Sequence, residues 1–503
     1  MREIARRRFV AAAGALLAMP AIKRASAQAV DYSKGVWSPV RPWPDVGIHL
    51  HVLPTHKILT FSDDAVPGLR ARRADYSQAF IVDIPPYSPP ATTWLQVDNN
   101  LTNLFCAGHT FLPDGRLLVL GGHEGRNYFG STDTTIFQYQ GGYQWIRQSA
   151  PMNAGRWYAS AITLGTGEVL VLSGAIDGIN HQNPLPQVWK TNEGGGWRNL
   201  TTALLNIDNY PKTYVLGNGL VFVVGPEVQT RFLNTAGTGA WIPGPNHVHP
   251  ARRKYGSSVM YDANKFLVMG GANTNSTTPT NTAEIIDMNS PAPAWQFTSQ
   301  MRYARKHCNA TLLPDGKVLV TGGSASTGFN DAAGAVFAAE MWDPTTGKWD
   351  LMSSAQVPRI YHSSAVLLPD ARVLVAGGGR PKAKNGGQQN LNAELFWPPY
   401  LWRGPRPTIA SAPTSITYGQ TFDIITPNAG DIMHVRLMSY GSTTHTFNMN
   451  QRMRTMAFTQ APAQSLVKAT IGPNRNLQPP GYYMLFILNS KGVPSYAWNI
   501  HLS

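Results

Sequence analysis

At six places in this chain a glycine-rich strand end is preceded, fifteen residues earlier and without a gap, by a thiol, a phenol or an imidazole. The strand ends are marked by Gly121, Ser173, Gly225, Gly270, Gly322 and Gly377, and the residues fifteen before them are Cys106, Tyr158, Tyr210, Tyr255, His307 and His362. The strand ends belong to a repeat: LPDGRLLVLGG (112–122), LGTGEVLVLSG (164–174), LGNGLVFVVG (216–225), YDANKFLVMGG (261–271), LPDGKVLVTGG (313–323) and LPDARVLVAGG (368–378), with LPTHKILTFSD (53–63) as a weaker seventh copy. Each copy reads as an apolar strand, a reversal built from Pro, Asp or Gly, and a second apolar strand ending in glycine. Equivalent positions of a repeat fall at equivalent places in a closed ring, so the six side chains are expected to converge near one axis.

A spacing of roughly 50 residues matches a four-stranded blade of the kelch type. Seven hairpins therefore predict an all-β fold, a seven-bladed kelch-type β-propeller over 35–404. Trp145, Trp197, Trp241, Trp295 and Trp349 recur late in their units, where they can pack between blades. After Pro407 the repeat stops, and short alternating strands (SITYGQTFDIIT, IMHVRLMSYG, SLVKATIG, GYYMLFILNS, AWNIHLS) predict an immunoglobulin-like β-sandwich over 405–503. The link WPPYLWRGPRP is rich in proline and aromatics, so it is expected to be stiff and docked. A chain that is 43% hydrophobic and only 14% charged suits this picture.

The first 27 residues read as an export signal of the twin-arginine (Tat) type. Arg6-Arg7-Arg8-Phe9 precedes an apolar stretch from Val10 to Ile22, and Ala25-Ser26-Ala27 supplies small residues for cleavage. That stretch is too short to span a bilayer, so a periplasmic or secreted protein without a transmembrane anchor is expected. The formal net charge is +14, and the first 27 residues, six basic against Glu3, account for +5 of it. The remainder forms no long Lys/Arg run and accompanies no nucleic-acid motif, so it excludes nucleic acid as the expected partner and is read as diffuse solubilising charge. Cys106 and Cys308 are the only cysteines. Their repeat phases differ by one residue, which turns strand side chains to opposite faces and makes a disulfide awkward.

The segments NLFCAGHTFLPDG (103–115), GRWYASAITLGTG (155–167), PRIYHSSAVLLPD (358–370), SYGSTTHTFNMNQR (439–452) and PPGYYMLFILNSKGVPS (479–495) resemble galactose oxidase and its glyoxal oxidase relatives, the copper radical oxidases. The resemblance runs through both predicted domains. It implies one copper ion held by Tyr158, Tyr361, His362 and His445, with Tyr158 joined to Cys106 by a self-generated thioether that carries a radical. It further implies that Tyr361 accepts the substrate proton, that the substrate is oxidised, and that O2 leaves as H2O2. Copper(II) favours tetragonal nitrogen and oxygen ligation, which two imidazoles and phenolates supply. Arg305 falls where galactose oxidase places a sugar-contacting arginine. For Tyr210, Tyr255 and His307 the resemblance implies no ligand role, so they are expected to line the pocket or to hydrogen-bond behind the ligands.

One departure is Ile176, which stands where galactose oxidase has a tryptophan stacked over the thioether; Trp157 or another loop aromatic is the expected substitute. The galactose-binding domain that precedes the propeller in galactose oxidase also has no counterpart in the resemblance. Small aldehydes such as glyoxal or methylglyoxal, or primary alcohols, are thus expected ahead of galactose, with a glycan terminus as a further option. The competing class is a non-catalytic kelch propeller that binds glycan or protein. A glycan hydrolase would need a carboxylate pair, and none of the axis-phase residues is Asp or Glu.

Overall fold

The computed structural model describes residues 30–62, 75–84, 92–125, 128–380 and 389–503, and the predicted signal (1–27) lies outside them. Among the described residues no helix is long and apolar enough to cross a membrane.

Seven antiparallel sheets form the blades of a propeller. Five take all four strands from consecutive sequence, within 108–147, 160–199, 212–246, 257–297 and 309–354. The last blade, built on Ser363–Leu367, Val373–Gly377 and Asn392–Trp397, is completed by Val36–Trp37 and Arg41–Pro42, so the two ends of the propeller sequence share one sheet. The two inner strands of a blade are covered on both faces by neighbouring blades. That is why Leu117–Leu120 and Val169–Leu172 are unbroken apolar runs, whereas the outer strand Thr93–Gln96 is exposed throughout.

The blades are tied to one another at the outer rim and braced internally. Near the outside, the indole nitrogens of Trp145, Trp197, Trp241 and Trp349 donate to carbonyls of the preceding blade (Val97, Ala150, Ala203 and Ser299) at 2.7–3.2 Å, and Trp37 does the same to Ser353 across the ring closure. Deeper in, buried Arg253, Arg305 and Arg359 each pair with a buried glutamate of their own blade (Glu284, Glu340 and Glu394) and donate to the carbonyl at the glycine anchor. Arg156 uses Gln187 and the carbonyl of Ser173 in the same way.

At the axis the repeat phase has a backbone cause. Cys106, Tyr158, Tyr210, Tyr255, His307 and His362 all have left-handed φ, between 45° and 69°. The seventh position, fifteen before Ser62, is Gly47, also left-handed, and a Cβ there would meet the Cβ of Ala376 at 2.9 Å. Left-handed geometry costs an L-residue roughly 1–2 kcal/mol. Inter-blade hydrogen bonds oppose that cost: the amides of Tyr158, Tyr210 and His307 donate at 2.8 Å to the carbonyls of Cys106, Tyr158 and Tyr255.

The C-terminal region forms a β-sandwich whose strand Met453–Ala461 changes sheets along its length. Its first half pairs with Ile432–Ser439 and its second with Leu466–Thr470. From this domain a hairpin, Ser442–Thr444 and Phe447–Asn448, pairs with His49–Val52 and becomes the innermost part of the first blade. The hairpin tip is His445.

Beneath Gly47, the buried carboxyl of Asp45 accepts from the Gly47 amide at 2.8 Å and from the Thr60 hydroxyl at 2.9 Å. Burial outweighs these bonds and pushes its pKa up from 3.8 to about 7. A carboxyl whose folded pKa is raised contributes stability that is complete below 3.8 and is lost as pH rises through about 7. Thermal unfolding of wild type and Asp45→Asn between pH 4 and pH 8 is expected to show a fall in wild-type Tm with rising pH that the variant lacks. Parallel curves would contradict the assignment.

Candidate metal centre

The left-handed residues aim their side chains into the channel, and one register change sets which of them meet. From the buried arginine to the glycine anchor the spacing is seventeen residues in three repeats and eighteen in the last. The additional residue lies between Arg359 and His362, so this blade presents two adjacent side chains, Tyr361 and His362, stacked at 3.8 Å. The C-terminal hairpin brings His445 from the opposite side of the sequence, its left-handed tip (φ 44° at His445, 73° at Thr446) pinned to the propeller. Ser257 donates to the Thr446 carbonyl at 2.7 Å, and the Thr446 hydroxyl donates to the Gly256 carbonyl at 3.0 Å.

The five residues expected at the centre converge. The donor atoms of Cys106, His362 and His445 lie within 4.8 Å of one another, all buried. The hydroxyls of Tyr158 and Tyr361 are hydrogen-bonded to each other. The His445 ring sits 4.7 Å from Tyr158, 5.6 Å from Tyr361 and 5.0 Å from His362. The Nδ1 of His445 is held by the Thr444 hydroxyl at 2.6 Å, which leaves Nε2 facing the Cys106 sulfur at 3.8 Å. Neither ring nitrogen of His362 makes a hydrogen bond of good geometry.

A buried polar atom with a poor partner is costly, so the His362 imidazole, set among two phenols and a second imidazole, forms with them a donor set able to hold a cation. The electrostatics agree. Burial lowers His362 to about 3 and His445 well below its ordinary value, keeping both rings neutral as ligands require. Burial also pushes both phenols up, reinforced at Tyr158 by Cys106 and Tyr361 and at Tyr361 by Tyr255 and Cys106. The protein alone therefore holds them protonated, and a cation at the site would reverse that. Two imidazoles with phenolate oxygens suit copper(II).

Trp157 takes the stacking role that Ile176 does not fill, lying flat on Tyr158 at 3.6 Å and 8°. Two backbone hydrogen bonds with Ala175, the neighbour of Ile176, hold it there. Tyr210 packs on Tyr158 and His445 at 4.6 and 4.9 Å and donates its hydroxyl to the Ala107 carbonyl. Tyr255 and His307 pack with Phe329 beside Tyr361. Cys308 is not joined to Cys106, and burial raises its thiol to about 11.

Arg305 corrects the expectation of a substrate contact. It is fully buried, bonded to Glu340 and to the carbonyls of Gly322 and Ala338, and serves its blade as Arg253 and Arg359 do. An exposed arginine near the centre is Arg380, which lies over Phe329 and bears electrostatically on Tyr361 and His362. The sequence marks it as the residue directly after the glycines 377–379. Histidines 49, 51 and 109 are also buried beside the centre; HLH at 49–51, within an apolar strand, marks the first two in the sequence. A cavity of about 80 Å³ opens beside the centre, lined by Tyr158, Tyr255, His445, Lys212, Lys254 and Asp208.

Comparison with known proteins settles the family. Residues 91–400 match the glyoxal oxidase N-terminus model, and residues 406–502 match the galactose oxidase-like early set domain. The chain belongs to the copper radical oxidases. A Vitis pseudoreticulata aldehyde oxidase, GLOX, is 30% identical over 79% of this chain and 81% of its own length. Galactose oxidase of Gibberella zeae is 29% identical over 80% of this chain, which spans 61% of that relative's length. A fungal alcohol oxidase solved in complex with copper superposes with a TM-score of 0.83 at 25% identity, covering 93% of this chain and all of the other.

Copper titration of the metal-free protein is expected to saturate at one ion per chain. His362→Ala and His445→Ala should each lower affinity beyond the ~10–100-fold typical of losing an outer partner. Calorimetry showing wild-type affinity in either variant would remove that histidine from the site.

Proposed function

We propose that this oxidase converts a small aldehyde of the glyoxal or methylglyoxal type, or a primary alcohol, to its oxidised product while reducing O2 to H2O2. The observation that carries the reading is the buried convergence of His362, His445 and Cys106 around the hydrogen-bonded Tyr158–Tyr361 pair. Tyr158, Tyr361, His362 and His445 would hold copper, which when bound supplies one-electron redox chemistry and polarises a coordinated oxygen.

The chain's own residues divide the remaining work. Tyr361 lies with its hydroxyl on that of Tyr158 and its ring walled by Phe329 and His307, a placement that suits it to accept the substrate proton. Tyr158, joined to Cys106 by a thioether, would store the second oxidising equivalent. Thioether substitution eases oxidation of the ring, and Trp157 covers its face against solvent. Tyr158, Tyr210 and Tyr255 wall the small cavity, while Lys212, Lys254 and Asp208 give it polar contacts, which favours a polar substrate of few carbon atoms. Export through the twin-arginine segment at 1–27 would deliver the protein already folded.

Copper-loaded protein is expected to form one H2O2 per O2 consumed with glyoxal-type aldehydes or primary alcohols, and galactose should be a poorer substrate. After loading in air, peptide mapping should recover the Cys106 and Tyr158 peptides joined and two hydrogens lighter than their sum. Cys106→Ser should keep copper but lose most turnover, and Tyr361→Phe should lower kcat more than copper affinity. Fully loaded, cross-linked protein that made no peroxide from a broad panel would return the chain to the non-catalytic, glycan-binding reading.

A further inference from the structure

Beside the metal centre a second set of buried imidazoles, His49, His51 and His109, lies between the first two blades and the C-terminal hairpin. None has a place in the oxidation chemistry above. Their contacts fix a direction. The Cys106 amide donates to Nε2 of His49 at 3.1 Å. A backbone amide can only donate, so this nitrogen carries no proton, and a neutral His49 must be protonated on Nδ1. That Nδ1 lies 3.0 Å from Nε2 of His109, which must therefore accept. His109 is then protonated on Nδ1, 2.6 Å from the Ser442 hydroxyl oxygen, and the Ser442 hydroxyl donates in turn to the His109 carbonyl at 3.3 Å. Every donor meets an acceptor, and one added proton on either ring would break the chain. Phe61 stacks on His49 at 4.6 Å and His51 packs edge-on against His109 at 4.4 Å, fixing the ring orientations.

The placement is selective. Tyr158, Tyr210 and His307 satisfy their left-handed amides with backbone carbonyls of a neighbouring blade, whereas Cys106 uses an imidazole. The far end of the chain, Ser442, belongs to the hairpin that carries His445 three residues later. One hydrogen-bonded path thus joins the backbone of Cys106 to the arm that brings His445 to within 3.8 Å of its sulfur.

We infer that His49 and His109 are positioning residues: the path Cys106 amide, His49, His109, Ser442 holds Cys106 in its left-handed conformation and sets its sulfur for bond formation with the Tyr158 ring. The bond forms between Sγ and a ring carbon. The thiol and ring hydrogens leave as two protons, and two electrons pass to O2. The inference rests on the thioether of the proposed function, but its geometry can be tested in metal-free protein.

In histidine-labelled apoprotein, long-range nitrogen–proton correlation should show His49 and His109 neutral and protonated on Nδ1. Hydrogen exchange at the Cys106 amide should quicken at least tenfold in His49→Leu and return to within about threefold of wild type in His49→Gln, whose side-chain oxygen can replace Nε2 as acceptor. Thioether formation after copper and air should follow the same order, tenfold slower in His49→Leu and restored in His49→Gln. If His49→Leu does not fold, Ser442→Ala, which removes the far acceptor, is measured instead and is expected to quicken Cys106 exchange at least threefold. A proton on Nε2 of His49, or wild-type exchange and cross-linking in a folded variant, would overturn the inference. Wild-type protein that formed no thioether would defeat the oxidase reading, and the exchange measurement would still decide the positioning.

Discussion

A left-handed backbone at the head of each inner strand turns the side chains of successive blades toward one axis, and the centre is built on that constraint. The conformation is disfavoured for Cys, Tyr and His alike, yet it recurs at six positions and is taken by glycine at the seventh. It persists because the blades over-determine it, through backbone hydrogen bonds between neighbouring blades at the axis, buried arginine–glutamate pairs in the blade interiors and tryptophan hydrogen bonds at the rim. Strain spread around a closed ring in this way yields a cluster of side chains with little freedom to rearrange, and preorganisation of that kind is what a metal site needs.

The second dependence is between domains. The propeller alone supplies two phenols, one imidazole and the thiol, while the other imidazole arrives on a hairpin that is at once a product of the C-terminal domain and a pair of strands in the first blade. Separating the domains would leave the first blade without its innermost strands and the centre without His445. The histidine path from Cys106 to Ser442 crosses the same junction.

Much of this was legible in the residues because the repeat is nearly gapless. The glycine anchors exposed the phase of Cys106, Tyr158 and His362, and the family-like segments added Tyr361 and His445. What stayed hidden depends on contacts between distant residues. The resemblance alone points Arg305 at substrate, whereas its repeat role shows only in its pairing, like that of Arg253 and Arg359, with a glutamate 31 to 35 residues away. The one-residue insertion before His362 was equally hidden, since it shows only when spacing is measured from the buried arginine. Trp157 replaces the missing stack from within its own segment, a matter of ring orientation that residue order does not encode.

The most direct test of the account is a crystal structure of the copper-loaded protein with anomalous data collected at the copper edge. The account predicts one peak per chain, at about 2 Å from nitrogens of both His362 and His445 and touching the Tyr158 oxygen, with continuous density between the Cys106 sulfur and the Tyr158 ring. A peak that joined only one of these histidines, or that lay away from the propeller axis, would contradict it.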